Sequence, residues 1–111
     1  MLESAVERKL VDGIRKAGGW AIKLVSPGNS GVPDRLVLMP GGRVIFVELK
    51  TDTGRVSPLQ QQVHDRLRGM GMDVRVLYGI VAVREFLREV ETDALPALPI
   101  PGSGDAVDYG A

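Results

Sequence analysis

The stretch "RLVLMPGGRVIFVELK", Arg35 to Lys50, constrains the fold more than any other part of the chain. Two runs rich in Val, Leu, Ile and Phe read as strands, and the glycine pair Gly41-Gly42 between them reads as a hairpin turn. Both runs are apolar at nearly every position, so both faces of the hairpin are expected to be covered. Asp34 stands at the mouth of the first run, and Glu48 and Lys50 close the second. The hairpin therefore brings Asp34 beside the segment Glu48 to Lys50. Glu48 and Lys50 are two apart on one strand and share a face. A two-residue turn sets Asp34 against Leu49, on the other face. A bulge or an odd loop brings it to theirs, and so does a free approach from just before the strand.

Two carboxylates brought together repel, and at least one resists ionising unless a cation joins them. Hard oxygen ligands, no cysteine and one histidine suggest magnesium or manganese. Such an ion neutralises a scissile phosphate and acidifies a water. Lys50 beside it is placed to orient that water or to stabilise charge developing on the phosphate. The plainer reading is a set of strand-end charges, with Lys50 paired to an acid.

The flanks supply the rest of an α/β domain. Residues 2–17 carry Val6, Leu10, Ile14 and Ala17 at helical spacing, and Gly18-Gly19 ends the run. "WAIKLV", Trp20 to Val25, reads as a strand, and Ser26 to Pro33 as a loop. Ser57-Pro58 opens a second helix, with Leu59, Val63, Leu67 and Met70 as its apolar stripe. "MDVRVLY", Met72 to Tyr78, reads as a strand. "IVAVREFLREV" reads as a helix with Ile80, Val83, Leu87 and Val90 on one face. The order is helix, three strands, helix, strand, helix, with helices covering a mixed sheet. Residues 1–91 form one domain on this reading, and the Pro/Gly-rich segment 92–111 is an extended or disordered tail.

Nothing approaches the roughly 18 apolar residues of a membrane helix, and the start "MLESAVERKL" does not read as a signal peptide. A cysteine-free chain suits a reducing cytoplasm. The formal net charge is zero, which lacks the usual footprint of a nucleic-acid binder.

"GVPDRLVLMPGGRVIFVELK" followed by "SPLQ" resembles the VRR-NUC domain of the PD-(D/E)xK nuclease superfamily, over Leu2 to Tyr78. The resemblance implies a restriction-endonuclease-like core and a metal-dependent DNA endonuclease. It makes Asp34 and Glu48 metal ligands, with the backbone carbonyl of Leu49 as a third, and Lys50 the catalytic lysine. Glu7 matches an acid on the first helix that helps hold metal or its water; Glu3, one turn earlier, is the second choice. Gln60 matches the family's glutamine, although "SPLQ" also reads as a capping box. Small stand-alone members occur in phages and bacteria, and some act as dimeric Holliday-junction nucleases. The implied partners are therefore branched DNA and a second copy, in a bacterial cell or phage-infected host. Phe86, off the stripe of the last helix, and "LPALPI" in the tail are candidates for the dimer patch.

Beyond the motif, Lys23, Ser30 and Arg35 are candidate DNA contacts around the loop beside Asp34. His64, one turn after Gln60, reads as a surface histidine. The alternative reading is a DNA-binding or assembly module that has lost catalysis, against which Asp34, Glu48 and Lys50 all stand present. An enzyme for a small anionic substrate has no phosphate-cradling glycine loop to rest on.

Overall fold

The structure is a computed structural model describing residues 3–92, with the side chain of Glu3 outside that description. Of the expected tail 92–111, Thr92 ends the last helix, and the remainder, including "LPALPI", lies outside the described residues. The elements are α1 (Glu3–Lys16), β1 (Trp20–Lys23), β2 (Arg35–Met39), β3 (Arg43–Lys50), α2 (Pro58–Gly69), β4 (Asp73–Tyr78) and α3 (Gly79–Thr92). The sheet order is β1-β2-β3-β4; the first two pairings are antiparallel and β3–β4 is parallel. Parallel neighbours need a crossover, and α2 provides it. The order expected from the sequence, helices on a mixed sheet, is the order found.

Val6, Leu10 and Ile14 of α1 are fully buried against α3 and the sheet residues Val37, Met39, Ile45, Val47 and Leu49. Burying each such side chain is worth about 1.5–3 kcal/mol. The helix ends where Gly18 takes a φ of +86° and the Gly19 N–H bonds to the Ile14 carbonyl. On α3, the buried set is Val83, Phe86, Leu87 and Val90. Phe86 is 2% exposed, so it belongs to this chain's own core and is not available to a partner. It also lies under the Arg75 guanidinium, which is 5.9 Å from the ring centroid and pairs with Asp73 and Glu89.

The β2–β3 register is set by a three-residue loop. Met39 faces Arg43, and Pro40, Gly41 and Gly42 lie between them. Both glycines have a φ near +90° (91° and 85°), which side-chain-bearing residues disfavour. The odd loop pairs core with core at Val37 and Ile45, and sets Arg35 opposite the core residue Val47. One step further along, Asp34 stands level with Glu48.

The expected two-sided cover is only half present. α1 and α3 cover one face; on the other, α2 lies over the β4 side. A helix is about 10–12 Å wide and strands lie about 4.8 Å apart, so one helix spans about two strands. Trp20 is left 66% exposed, and Val44 is exposed too. The apolar stripe expected on α2 is also shifted by one residue. Leu59 and Met70 are exposed, and the face turned to the sheet carries Gln60, Val63, His64 and Leu67. Among the described residues, no helix is long and apolar enough to cross a membrane.

Candidate active site

Asp34 sits immediately before β2, where the β2–β3 ladder runs out. Its carboxylate completes the ladder: Oδ2 accepts the Leu49 N–H at 2.9 Å. Its carbonyl accepts the Leu24 N–H at 2.8 Å, so the residue is fixed from two sides. Glu48 projects on the α2 face and is 2% exposed. Its Oε2 lies 3.5 Å from Lys50 Nζ and accepts a long hydrogen bond, 3.4 Å, from Gln60 Nε2. Its Oε1 is buried with no partner among the described residues.

These surroundings oppose the charge on Glu48. Burial raises its pKa most, the neighbouring Asp34 adds to this, and Lys50 opposes both; the value is pushed up to about 7. Gln60 holds its place through the helix cap. Its Oε1 accepts the Ser57 N–H at 2.9 Å, and its N–H donates to Ser57 Oγ at 3.1 Å. With the amide oxygen so occupied, the amide nitrogen is left for Glu48. One side chain thus both closes the capping box and reaches Glu48.

A cavity of about 150 Å³ opens at the strand end, lined by Glu7, Lys23, Asp34 and Leu49. Glu7 reaches it from α1, on the opposite side of the sheet from Glu48. There it forms a hydrogen-bonded ion pair with Arg35. Arg35 also donates to the Ala21 carbonyl at 3.2 Å, and its side chain is largely buried. Arg35 is therefore turned inward to orient Glu7, rather than outward toward DNA. Lys23 is exposed at the cavity edge, and Ser30 is exposed in the preceding loop. That loop is seated on α2 through Gly31, whose φ is +92° and where a Cβ would stand 3.0 Å from the Leu59 carbonyl oxygen.

His64 is not a surface residue. It is fully buried on α2, one turn from Gln60, and neither ring nitrogen has a partner among the described residues. Burial lowers its pKa, and the nearby Arg68 lowers it further, so both disfavour the charged ring. The signal was present in its i+4 spacing from Gln60, which puts both on one helix face.

Among the described residues, no three His, Cys, Asp or Glu side chains converge to form a metal cage by themselves. The donor set nonetheless fits a hard divalent ion. Two carboxylates adjoin each other, one holds a buried oxygen without a partner, and charge repulsion between them calls for a cation.

Fold and site together define an α/β domain of the nuclease type, with acids and a lysine gathered at the end of a central hairpin. The chain belongs to the VRR-NUC domain family, whose family model matches residues 3–80. It is 49% identical over 75 residues to "Putative nuclease p44" of Acyrthosiphon pisum secondary endosymbiont phage 1, covering 68% of this chain and 81% of that protein. A solved structure described as "VRR_NUC domain" is 32% identical with a TM-score of 0.73, covering 78% of this chain and 94% of the other.

Proposed function

We propose that this chain is a metal-dependent DNA endonuclease that hydrolyses phosphodiesters by attack of water, selective for branched DNA such as Holliday junctions. The observation that carries the reading is Glu48: a buried carboxylate set against Asp34, with Lys50 Nζ 3.5 Å away. A core built for stability alone gains little from such a group, because the desolvation of a buried charge pair offsets what the pairing returns.

Asp34, Glu48 and the Leu49 carbonyl would hold magnesium or manganese, which when bound neutralises the scissile phosphate and acidifies a water. Asp34 is kept ready by its bond to the Leu49 N–H. Gln60 occupies Glu48 Oε2 and leaves Oε1 free to point at the ion. Lys50 donates toward the attacking water or toward phosphate oxygen, and its charge favours the ionised form of Glu48. Glu7, steadied by Arg35, faces the same cavity and accepts from a water there. Lys23 and Ser30 flank the cavity and meet the DNA backbone.

A junction needs two cuts on opposed strands, and each chain carries one such site. Two copies about a two-fold axis would present two. The compartment that fits a cysteine-free chain is the cytoplasm, of a bacterial cell or a phage-infected host. The domain is taken as residues 1–91, with 92–111 as a tail.

Labelled single-stranded, duplex, flap and four-way DNA, incubated with and without magnesium, test the reading. Cleavage of the four-way substrate in magnesium or manganese and its loss in excess EDTA are expected. Full activity in EDTA overturns the metal, and equal rates on duplex and junction overturn the selectivity.

A further inference from the structure

On the outer surface of the α1–α3 layer, across the sheet from Gln60, the two helices leave a groove. It consists of two depressions of about 300 and 380 Å³ that share Lys9, Gly13, Lys16 and Arg84. The helices approach closely at Gly13, where a Cβ would stand 2.3 Å from Leu87 Cδ1, so the floor is low.

The walls are basic. Arg8, Lys9 and Lys16 line it from α1, and Arg84 and Arg88 from α3; Asp12 and Glu91 are its acids. All five cations are exposed, and among the described residues none has an ion-pair partner. Elsewhere most cations are paired, namely Arg15, Arg35, Arg43, Lys50, Arg68 and Arg75, while Lys23, Arg55 and Arg66 have no ion-pair partner among the described residues. A chain with zero formal net charge thus places five of its eight cations that lack an ion-pair partner among the described residues in this one groove. The lining carries more apolar than polar surface, but it has no exposed large apolar side chain: Leu87 is buried and Ile80 half-buried. That disfavours a protein helix, which needs an apolar stripe, and a membrane, which needs apolar side chains to insert.

We propose that this groove is a second DNA contact, taking the phosphodiester backbone of a segment other than the one at the strand end, without regard to sequence. Lys9 and Lys16 are seven residues apart, or about 10 Å along the helix. That matches about three phosphates at 3.4 Å per strand. Arg84 and Arg88 stand one turn apart on the facing helix. A substrate with several arms, as proposed above, would offer one arm to the cavity and another to the groove. The inference rests on that reading of the substrate.

The test is DNA binding in EDTA, followed by anisotropy of a labelled four-way junction over a salt series. Lys9→Gln/Arg84→Gln/Arg88→Gln should lower the slope of log K against log salt by about 2–3, since each lost phosphate contact removes about 0.9. The charge-preserving Lys9→Arg/Arg84→Lys/Arg88→Lys should keep the slope, because a backbone phosphate reads charge. Magnesium-dependent cleavage of a short duplex by the neutral variant should stay within about twofold of the unmodified chain, and its thermal midpoint should be unchanged. An unchanged slope in the folded neutral variant, while the unmodified chain binds and cuts DNA, overturns the groove assignment alone. Tight binding of that same neutral chain to DNA, with loss of binding to anionic phospholipid vesicles instead, overturns it in favour of a membrane. Failure of the unmodified chain to bind or cut any DNA removes the nuclease reading itself.

Discussion

At Glu48 the fold holds a carboxylate where its charge is disfavoured, and two consequences can be measured. The folded state raises its pKa from 4.5 to about 7, so between those values the native chain binds the extra proton. Stability therefore falls as pH rises through that window and levels off above it. At 1.36 kcal/mol per unit, the effect is on the order of 3 kcal/mol. Glu48→Gln keeps the shape and removes the charge. Its metal-free stability advantage should be smallest near pH 4.5 and largest above pH 7, as read by urea denaturation. A pH-independent difference would refute the assignment of the raised pKa. The same variant should lose cleavage, and magnesium should raise the thermal midpoint of the unmodified chain but not of Glu48→Gln. Asp34→Ala, Glu48→Ala and Lys50→Ala should each cut on the order of 10²-fold more slowly or worse while still binding DNA. Wild-type rates in any of the three would remove that residue from the site. The gathering of Asp34, Glu48 and Lys50 at one strand end was legible in the sequence, because their order along the hairpin is specific. The inward turn of Arg35 was not: an arginine beside Asp34 suits a DNA contact equally well, and only the approach of α1 brings Glu7 within reach.

Among the elements, α2 shows how one side chain serves two ends. Gln60 gives its amide oxygen to the helix cap and its amide nitrogen to Glu48. Gln60→Glu retains an acceptor for the cap but sets a second carboxylate against Glu48. Helix content by circular dichroism should be preserved and cleavage should fall by on the order of 10-fold or more. Unchanged cleavage would leave Gln60 with its capping role only. Ser57→Ala removes the other half of the cap and should cost about 1 kcal/mol in a denaturant titration. Each element was legible from spacing and punctuation, while two alignments were not. The hairpin is apolar on both sides, so alternation alone did not fix which residues face α1. The parity of the glycine loop decided it, and that parity brought Asp34 level with Glu48. On α2, an apolar count favoured Leu59 and Met70, but the helix buries His64 to keep Gln60 over the site.

For the whole molecule, the proposed pair of copies has a direct measurement. Sedimentation at micromolar concentration should give about twice the 12.0 kDa chain mass. A 12.0 kDa species that still resolves junctions would rule out the dimer. Phe86 takes no part in the contact, being buried at home.

Trp20 gives that question an optical answer. It is the single tryptophan of the chain, and it stands 66% exposed on the sheet face that α2 leaves bare. Its indole is in water while the protein is native, so native emission should lie near the wavelength of the denatured chain. Intrinsic fluorescence will then report the unfolding transition poorly, and far-ultraviolet dichroism is the better probe. The same exposure makes the indole a sensor of anything that covers the bare face. A blue shift that grows with protein concentration would locate the contact between copies there. Emission that stays constant while the sedimenting mass doubles would locate it elsewhere.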